Sequence, residues 1–333
     1  MRPFHLALFS TLTSISRVSL ANSNTTQNPH LLFTHLQQSP LSYSSNSTTT
    51  TTKMPRLAPV ISLSHGGGPM PVLGDPSHAS ITKSLQTKVP QILKLGSPDA
   101  PRAIVVITAH WSTDKVRVSS GAKHELLYDY YGFPEESYQI RHDAPGSPEV
   151  AGMVKEVLGE AGIECVEDEV RAWDHGVFIP MKLIDPPATT PIVQLSVLAS
   201  ESPTLHYAIG RALGKLRTQN IAIVGSGYAT FHNLRLMFDG TAQTPEFKRL
   251  NQEWSRVVSD AALTTDDGVR ESKFEAWREW TGAWVMHPRG GAEHFLPLIV
   301  CAGAAGSTKG KSYADEMRGN DMWSYYWDEQ QMM

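Results

Sequence analysis

Cysteine is nearly absent: the 333 residues hold two, Cys165 and Cys301, far apart and each among apolar or helix-forming neighbours. That excludes a disulfide-stapled fold and a thiolate zinc site of short local spacing, and it suits a reducing, intracellular setting. An excess of positive charge is missing too. Lys and Arg number 29 against 33 Asp and Glu, a formal net charge of -4, and no basic stripe is visible. No nucleic-acid partner is expected, because nothing would neutralise its phosphates. No apolar run approaches the roughly 20 residues that cross a bilayer, so no membrane partner is expected either. Two catalytic fingerprints are also lacking. His65-Gly-Gly-Gly-Pro69 does not have the spacing of a dinucleotide-binding loop, and Gly225-Ser226-Gly227 falls short of a nucleophile elbow.

Residues 1 to 53 contain no Asp or Glu, are rich in Ser, Thr and Asn, and end in Thr48-Thr-Thr-Thr-Thr52 before Lys53. Such a low-complexity segment is expected to be a disordered or targeting extension. Arg2 and Arg17, without acids, permit a mitochondrial transit reading; Leu6-Ala-Leu-Phe9 followed by Ser19-Leu-Ala21 permits a weaker secretory one. Met54, directly ahead of the first strand-like run, offers a second start. The expected organisation is an extension over 1–53 and one catalytic domain over 54–333. The expected location is cytoplasmic, or mitochondrial if the extension is a transit peptide.

From Leu57 onward, short apolar runs alternate with helical spacings, the pattern of an α/β fold. Leu57–Ser64 and Ala103–Thr108 are β-branched runs, each closed by a histidine, His65 and His110, with a helical stretch from Pro76 to Leu93 between them. Strand, helix and parallel strand form a βαβ crossover, which puts both histidines at neighbouring C-terminal strand ends. Further strands are expected at Ile163–Val166, Pro191–Val197 and Ile221–Gly227, and helices at Pro148–Gly162 with Ser147 as N-cap, Pro203–Leu216 and Pro245–Trp254. The fold class is therefore a single α/β domain, a central, mostly parallel sheet flanked by helices, with the active site at the C-terminal ends of its strands. The tryptophan-bearing region 245–280 either covers the sheet or supplies a homo-oligomer contact, and Met322–Trp327 reads as an edge strand.

Five histidines fall at strand ends or loop-to-helix transitions: His65, His110, His175 after Asp174, His232, and His294 after Glu293, with His287 nearby. Imidazoles and a carboxylate scattered over more than two hundred residues point to a catalytic Fe(II) or Zn(II) rather than a structural ion. The bland alternative is a set of hydrogen-bonded core histidines. Between the second and third of them lies an aromatic loop, Tyr128-Asp-Tyr-Tyr-Gly-Phe-Pro134, followed by Arg141 and His142, which reads as a pocket wall.

In this order, Ser64-His-Gly-Gly-Gly-Pro-Met70, Thr108-Ala-His-Trp111, Ala144-Pro-Gly-Ser-Pro148, Asp174-His-Gly176, Phe231-His-Asn-Leu234 and Glu293-His-Phe-Leu-Pro-Leu298 resemble the class III extradiol ring-opening dioxygenases, in the branch of the DOPA 4,5-dioxygenases. The resemblance spans about residues 56 to 325. It implies a small-molecule catechol, molecular oxygen and one mononuclear Fe(II), with Zn(II) in some relatives. Carried onto this chain, it implies metal ligation by His65, His110 and His294. It implies proton handling by His232 and a further pocket histidine at His175; a fourth-ligand role for His232 in a resting zinc form stays open beside it. Protocatechuate-type relatives use a glutamate as third ligand, so Glu293 and His294 both stay open, as do iron and zinc. Tyr128, Tyr131 and Phe133 are candidates to stack on the substrate, and Arg141 to meet a substrate carboxylate. The competing readings are a zinc hydrolase on the same scaffold and a non-enzymatic interaction protein, the latter disfavoured by retention of every matched histidine.

Overall fold

The computed structural model describes residues 56–328, so the expected extension and the last five residues lie outside it. Eight strands build one sheet: β1 (Val60–Ser64), β2 (Ala103–Thr113), β3 (Val116–Ser119), β4 (Cys165–Asp168), β5 (Ile192–Leu198), β6 (Ile221–Gly227), β7 (Lys311–Met317) and β8 (Asn320–Trp327). Their order is β4-β3-β5-β2-β6-β1-β8-β7. The central four, β5, β2, β6 and β1, run parallel, β3 pairs parallel with β4, and the remaining pairings are antiparallel. Every residue of β1, β5 and β6 is buried. That is why these strands read as unbroken apolar runs instead of alternating ones: both faces are covered.

Nine helices, α1 (Ala79–Ile92), α2 (Pro148–Glu160), α3 (His175–Ile184), α4 (Pro203–Leu213), α5 (Leu234–Phe238), α6 (Pro245–Ala262), α7 (Asp267–Glu275), α8 (Ala283–Met286) and α9 (Leu296–Ala304), supply the cover among the described residues. Strand β6 shows how the two faces divide. A Cβ on Gly225 would lie 2.7 Å from the Pro297 carbonyl oxygen, and one on Gly227 would lie 2.3 Å from that of His294, so α9 and its entry press on this face. Ser226 points the opposite way by the two-residue period and donates to the Gly176 carbonyl at the start of α3. Gly225-Ser-Gly227 is thus a packing solution, and its serine is no exposed nucleophile. The expected N-cap of α2 is present, Ser147 Oγ accepting from Val150 N. In region 245–280, Trp254 and Trp277 are fully buried in the core, the covering role.

Three expectations need correction. β1 and β2 are not neighbours, because β6 inserts between them and pairs with both. His110 does not end β2, which runs on to Thr113 through a register shift between Ile107 and Ser112. The Met322–Trp327 strand is not an edge: β8 lies between β1 and β7, and the edge is β7, whose polar sequence Lys-Ser-Tyr-Ala-Asp-Glu-Met tolerates half-exposure.

Candidate active site

Past Ser64 the chain must leave the sheet within a few residues. Gly66 and Gly68 take φ of +83° and +54°, and a Cβ on Gly66 would meet Pro71 Cγ at 2.2 Å, so only glycine fits there. The turn is pinned from below by His78. Its Nε2 accepts from Gly67 N at 3.0 Å, while its Nδ1 lies 2.9 Å from Asp75 Oδ1. Thus the loop that carries His65 is rigid, and His65 itself is almost wholly buried.

Each of the five imidazoles has its Nδ1 beside an oxygen. His65 Nδ1 sits 3.0 Å from Ser226 Oγ, whose proton is already given to Gly176, so His65 is the donor and its Nε2 keeps the lone pair. Asp129 spans two rings, with Oδ1 2.8 Å from His175 Nδ1 and Oδ2 3.4 Å from His110 Nδ1. Glu293 does the same across the cavity: Oε1 is 2.9 Å from His294 Nδ1 and 3.5 Å from His232 Nδ1. An oxygen behind Nδ1 is the usual support of an imidazole that binds a metal through Nε2.

The rings converge. His65 Nε2 and His110 Nε2 are 3.4 Å apart, close to the roughly 3.4 Å separation that a tetrahedral ion with bonds of about 2.05 Å imposes on two nitrogens. The His294 ring lies 4.8 Å from that of His110 and 5.3 Å from that of His65. His175 is 3.9 Å from His110, and His232 stacks on His294 at 3.4 Å with 19° between planes. Donor atoms of His65, His110 and His175 lie within 4.8 Å of one another, as do those of His232, Glu293 and His294. The structure thus brings together all five sequence-predicted histidines and Glu293.

Burial, with the charge of neighbouring imidazoles, holds His65 and His294 well below the ordinary histidine range, and burial followed by His175 brings His110 to about 3. Neutral imidazole is the form that ligates a metal. Burial works to raise the Asp129 and Glu293 carboxyls, but hydrogen bonds from His175 and His232 respectively bring each below its usual value. Asp174, at the start of α3, serves the frame. It accepts from Thr108 Oγ1 at 2.7 Å, Gln194 Nε2 at 3.0 Å and Arg171 Nη2 at 3.2 Å, tying β2, β5 and α3 together beneath His175.

The histidines form the floor of a cavity of about 590 Å³. Tyr130, Tyr131 and Phe133 make one wall and Leu234, Met237 and Phe238 of α5 another, while Met317, Arg318 and Asn320 reach in from the β7–β8 turn. Four expected residues are not where the sequence reading put them. Tyr128 lies outside the lining, its hydroxyl donated to the Ile140 carbonyl at 2.7 Å, and Arg141 is exposed and spent on Tyr128 and on the Tyr138 and Ile140 carbonyls. His142 is buried away from the cavity, and His287 is enclosed by Trp254, Trp277 and Phe295. An arginine close in sequence to an aromatic wall was simply facing outward. Asp129 and Arg318 line the cavity and were missed in the sequence reading. The first carried a signal, a lone acid inside an aromatic run; the second carried none, because only strand pairing brings it near.

Comparison with known proteins places the chain among ring-cleaving enzymes. Residues 59–325 match the family model of the catalytic LigB subunit of aromatic ring-opening dioxygenases. The chain is 50% identical over 281 residues to the dioxygenase tasH of Hapsidospora irregularis, covering 81% of this chain and 86% of that protein. It is 36% identical over 214 residues to a 4,5-DOPA dioxygenase extradiol of Beta vulgaris, covering 62% and 74%. A crystal structure of an uncharacterized Escherichia coli K12 protein superposes with a TM-score of 0.61 at 28% identity, over 81% of this chain and 99% of that one.

Proposed function

Because the chain belongs to the family of LigB catalytic subunits of aromatic ring-opening dioxygenases, a metal-dependent class of oxidoreductases, we propose that it opens a DOPA-like catechol beside its diol with molecular oxygen. The observation that carries this reading is the floor of five imidazoles, each with Nδ1 beside an oxygen, under an aromatic-walled cavity of about 590 Å³. Relatives named for DOPA support the substrate class.

His65, His110 and His294 would hold the ion. Glu293 is the weaker third ligand, because its carboxylate is already shared between the Nδ1 atoms of His294 and His232. Fe(II) held there would supply the one-electron exchange between catecholate and oxygen that Zn(II) lacks, which favours iron. His232 is the proton carrier. With Nδ1–H directed at Glu293, its Nε2 is free to take a proton from a substrate hydroxyl, and the carboxylate stabilises the imidazolium that results. His175, braced by Asp129, faces the same space and orients the diol. Tyr130 and Phe133, edge to face at 5.5 Å, offer flat apolar surface to the ring and exclude water.

The test is direct. Protein reconstituted with Fe(II) without air, then mixed under air with DOPA, caffeate or protocatechuate, should consume oxygen and form a coloured semialdehyde. A colourless diacid would mean cleavage between the hydroxyls. No oxygen uptake with any catechol, together with metal-dependent ester or amide hydrolysis, would replace this reading with the zinc hydrolase.

A further inference from the structure

We propose that Arg318 is the residue that selects the substrate, by pairing with a carboxylate on the tail of the aromatic ring. The inference rests on the catechol reading above for the orientation of the ring. Arg318 is the one Lys or Arg among the residues lining the cavity, and its guanidinium forms no ion pair or hydrogen bond with any described residue; it lies over the exposed Phe238 ring at 5.4 Å. The cavity's two carboxylates, Asp129 and Glu293, are both at the floor and engaged by imidazoles. A negatively charged tail therefore has one attractive group to meet, and that group is at the mouth.

The position is built by topology. β8 runs antiparallel to β1, with Ser62 opposite Tyr325 and Val60 opposite Trp327, so β8 begins on the side where β1 ends in His65. Continuing that register carries the β7–β8 turn roughly 14 Å past Ser64 along the strand direction. An imidazole and a phenylpropanoid acid laid end to end span a length of that order. The turn has two residues, Arg318 and Gly319, with φ of +51° and +76° between Met317 and Asn320. This is the geometry in which Asn, Asp or Gly sit without strain, and an arginine at its first position carries a conformational cost that structure alone does not require. The turn is held in place by Asn320, which is buried and donates from Nδ2 to the Ala242 carbonyl at 3.0 Å. A fixed backbone with a free guanidinium at the rim is a suitable clamp for a carboxylate.

Calorimetric titration under argon compares 3-(3,4-dihydroxyphenyl)propionate with its methyl ester, and oxygen uptake under air compares the same pair. The wild type should bind the acid at least tenfold more tightly than the ester. Arg318→Met should bring that ratio close to one, Arg318→Lys should keep part of it, and Arg141→Met, outside the cavity, should leave it as in the wild type. A wild type without preference for the acid, a preference that survives Arg318→Met, or one abolished by Arg141→Met overturns the proposal. The two readings fail separately. Preference for the acid in binding with no oxygen uptake from either compound sinks the catechol reaction and keeps the clamp, whereas uptake without preference sinks the clamp alone.

Discussion

His294 and Glu293 are adjacent in the chain, yet their side chains have different tasks, and substitution separates them. His65→Ala, His110→Ala and His294→Ala should each strip most of the bound metal while circular dichroism stays native, since each removes an Nε2 donor from a floor whose backbone is held elsewhere. Glu293→Gln should keep an oxygen behind His294 and cost about tenfold to a hundredfold in metal affinity, the scale of a lost supporting partner. If Glu293→Gln empties the site and His294→Ala does not, the carboxylate is the ligand. His232→Gln should retain most of the metal and slow turnover by about a hundredfold or more. Loss of metal in that variant would make His232 a ligand first and a base second. Metal content by emission spectrometry and single-turnover rates read both effects.

At the scale of elements, two contacts set the geometry that the site borrows. Helices α4 and α9 meet through glycines: a Cβ on Gly210 would lie 2.0 Å from the Val300 carbonyl oxygen, and one on Gly303 would lie 2.2 Å from that of Tyr207. Gly303→Ala must push the helices apart, and should cost about 2 kcal/mol or more, seen as a lower urea midpoint. The other contact joins α4 to β5. His206 Nε2 accepts from Leu198 N at 2.9 Å, and its Nδ1 lies 2.7 Å from the Ser202 carbonyl oxygen, an arrangement that requires the neutral ring. Burial accordingly brings its pKa to about 4. Because the folded value lies below the unfolded one, the stability from this histidine is complete above about pH 6.5 and is lost as pH falls towards 4. The lead of the wild type over His206→Gln in urea should therefore shrink by on the order of 2 kcal/mol between pH 7.5 and pH 5. A constant lead would show that His206 does not titrate with unfolding.

For the whole molecule, the sheet presents its parallel centre to the cavity and closes one side with an antiparallel hairpin, and the described residues form a contiguous core around it. A chain beginning at Met54 should match the full chain in melting temperature and in metal content. The motivation is in the sequence, where that segment lacks acids and shows no apolar period. A large fall in melting temperature on truncation would show that it packs on the domain. Of the described helices, none is long and apolar enough to cross a membrane.

Local order in the chain was enough to reveal the class of fold and the five histidines that the structure brings together at the cavity floor. β1, β5 and β6 announce themselves because strands covered on both faces have no solvent-facing positions to interrupt the apolar run. His65, His175, His232 and His294 are legible because each falls just past a strand or at the entry to a helix, and His110 because it follows a β-branched run, although β2 continues through it to Thr113. What the sequence could not reach is everything set by pairing between distant segments. The insertion of β6 between β1 and β2, the placing of β8 inside the sheet, and with it the delivery of Arg318 to the cavity mouth, follow from hydrogen bonds between strands more than a hundred residues apart. Arg141 and Arg318 show the difference in a single property. Both are exposed arginines near aromatic rings, and only the path of the backbone in three dimensions decides that one faces solvent while the other overhangs the cavity.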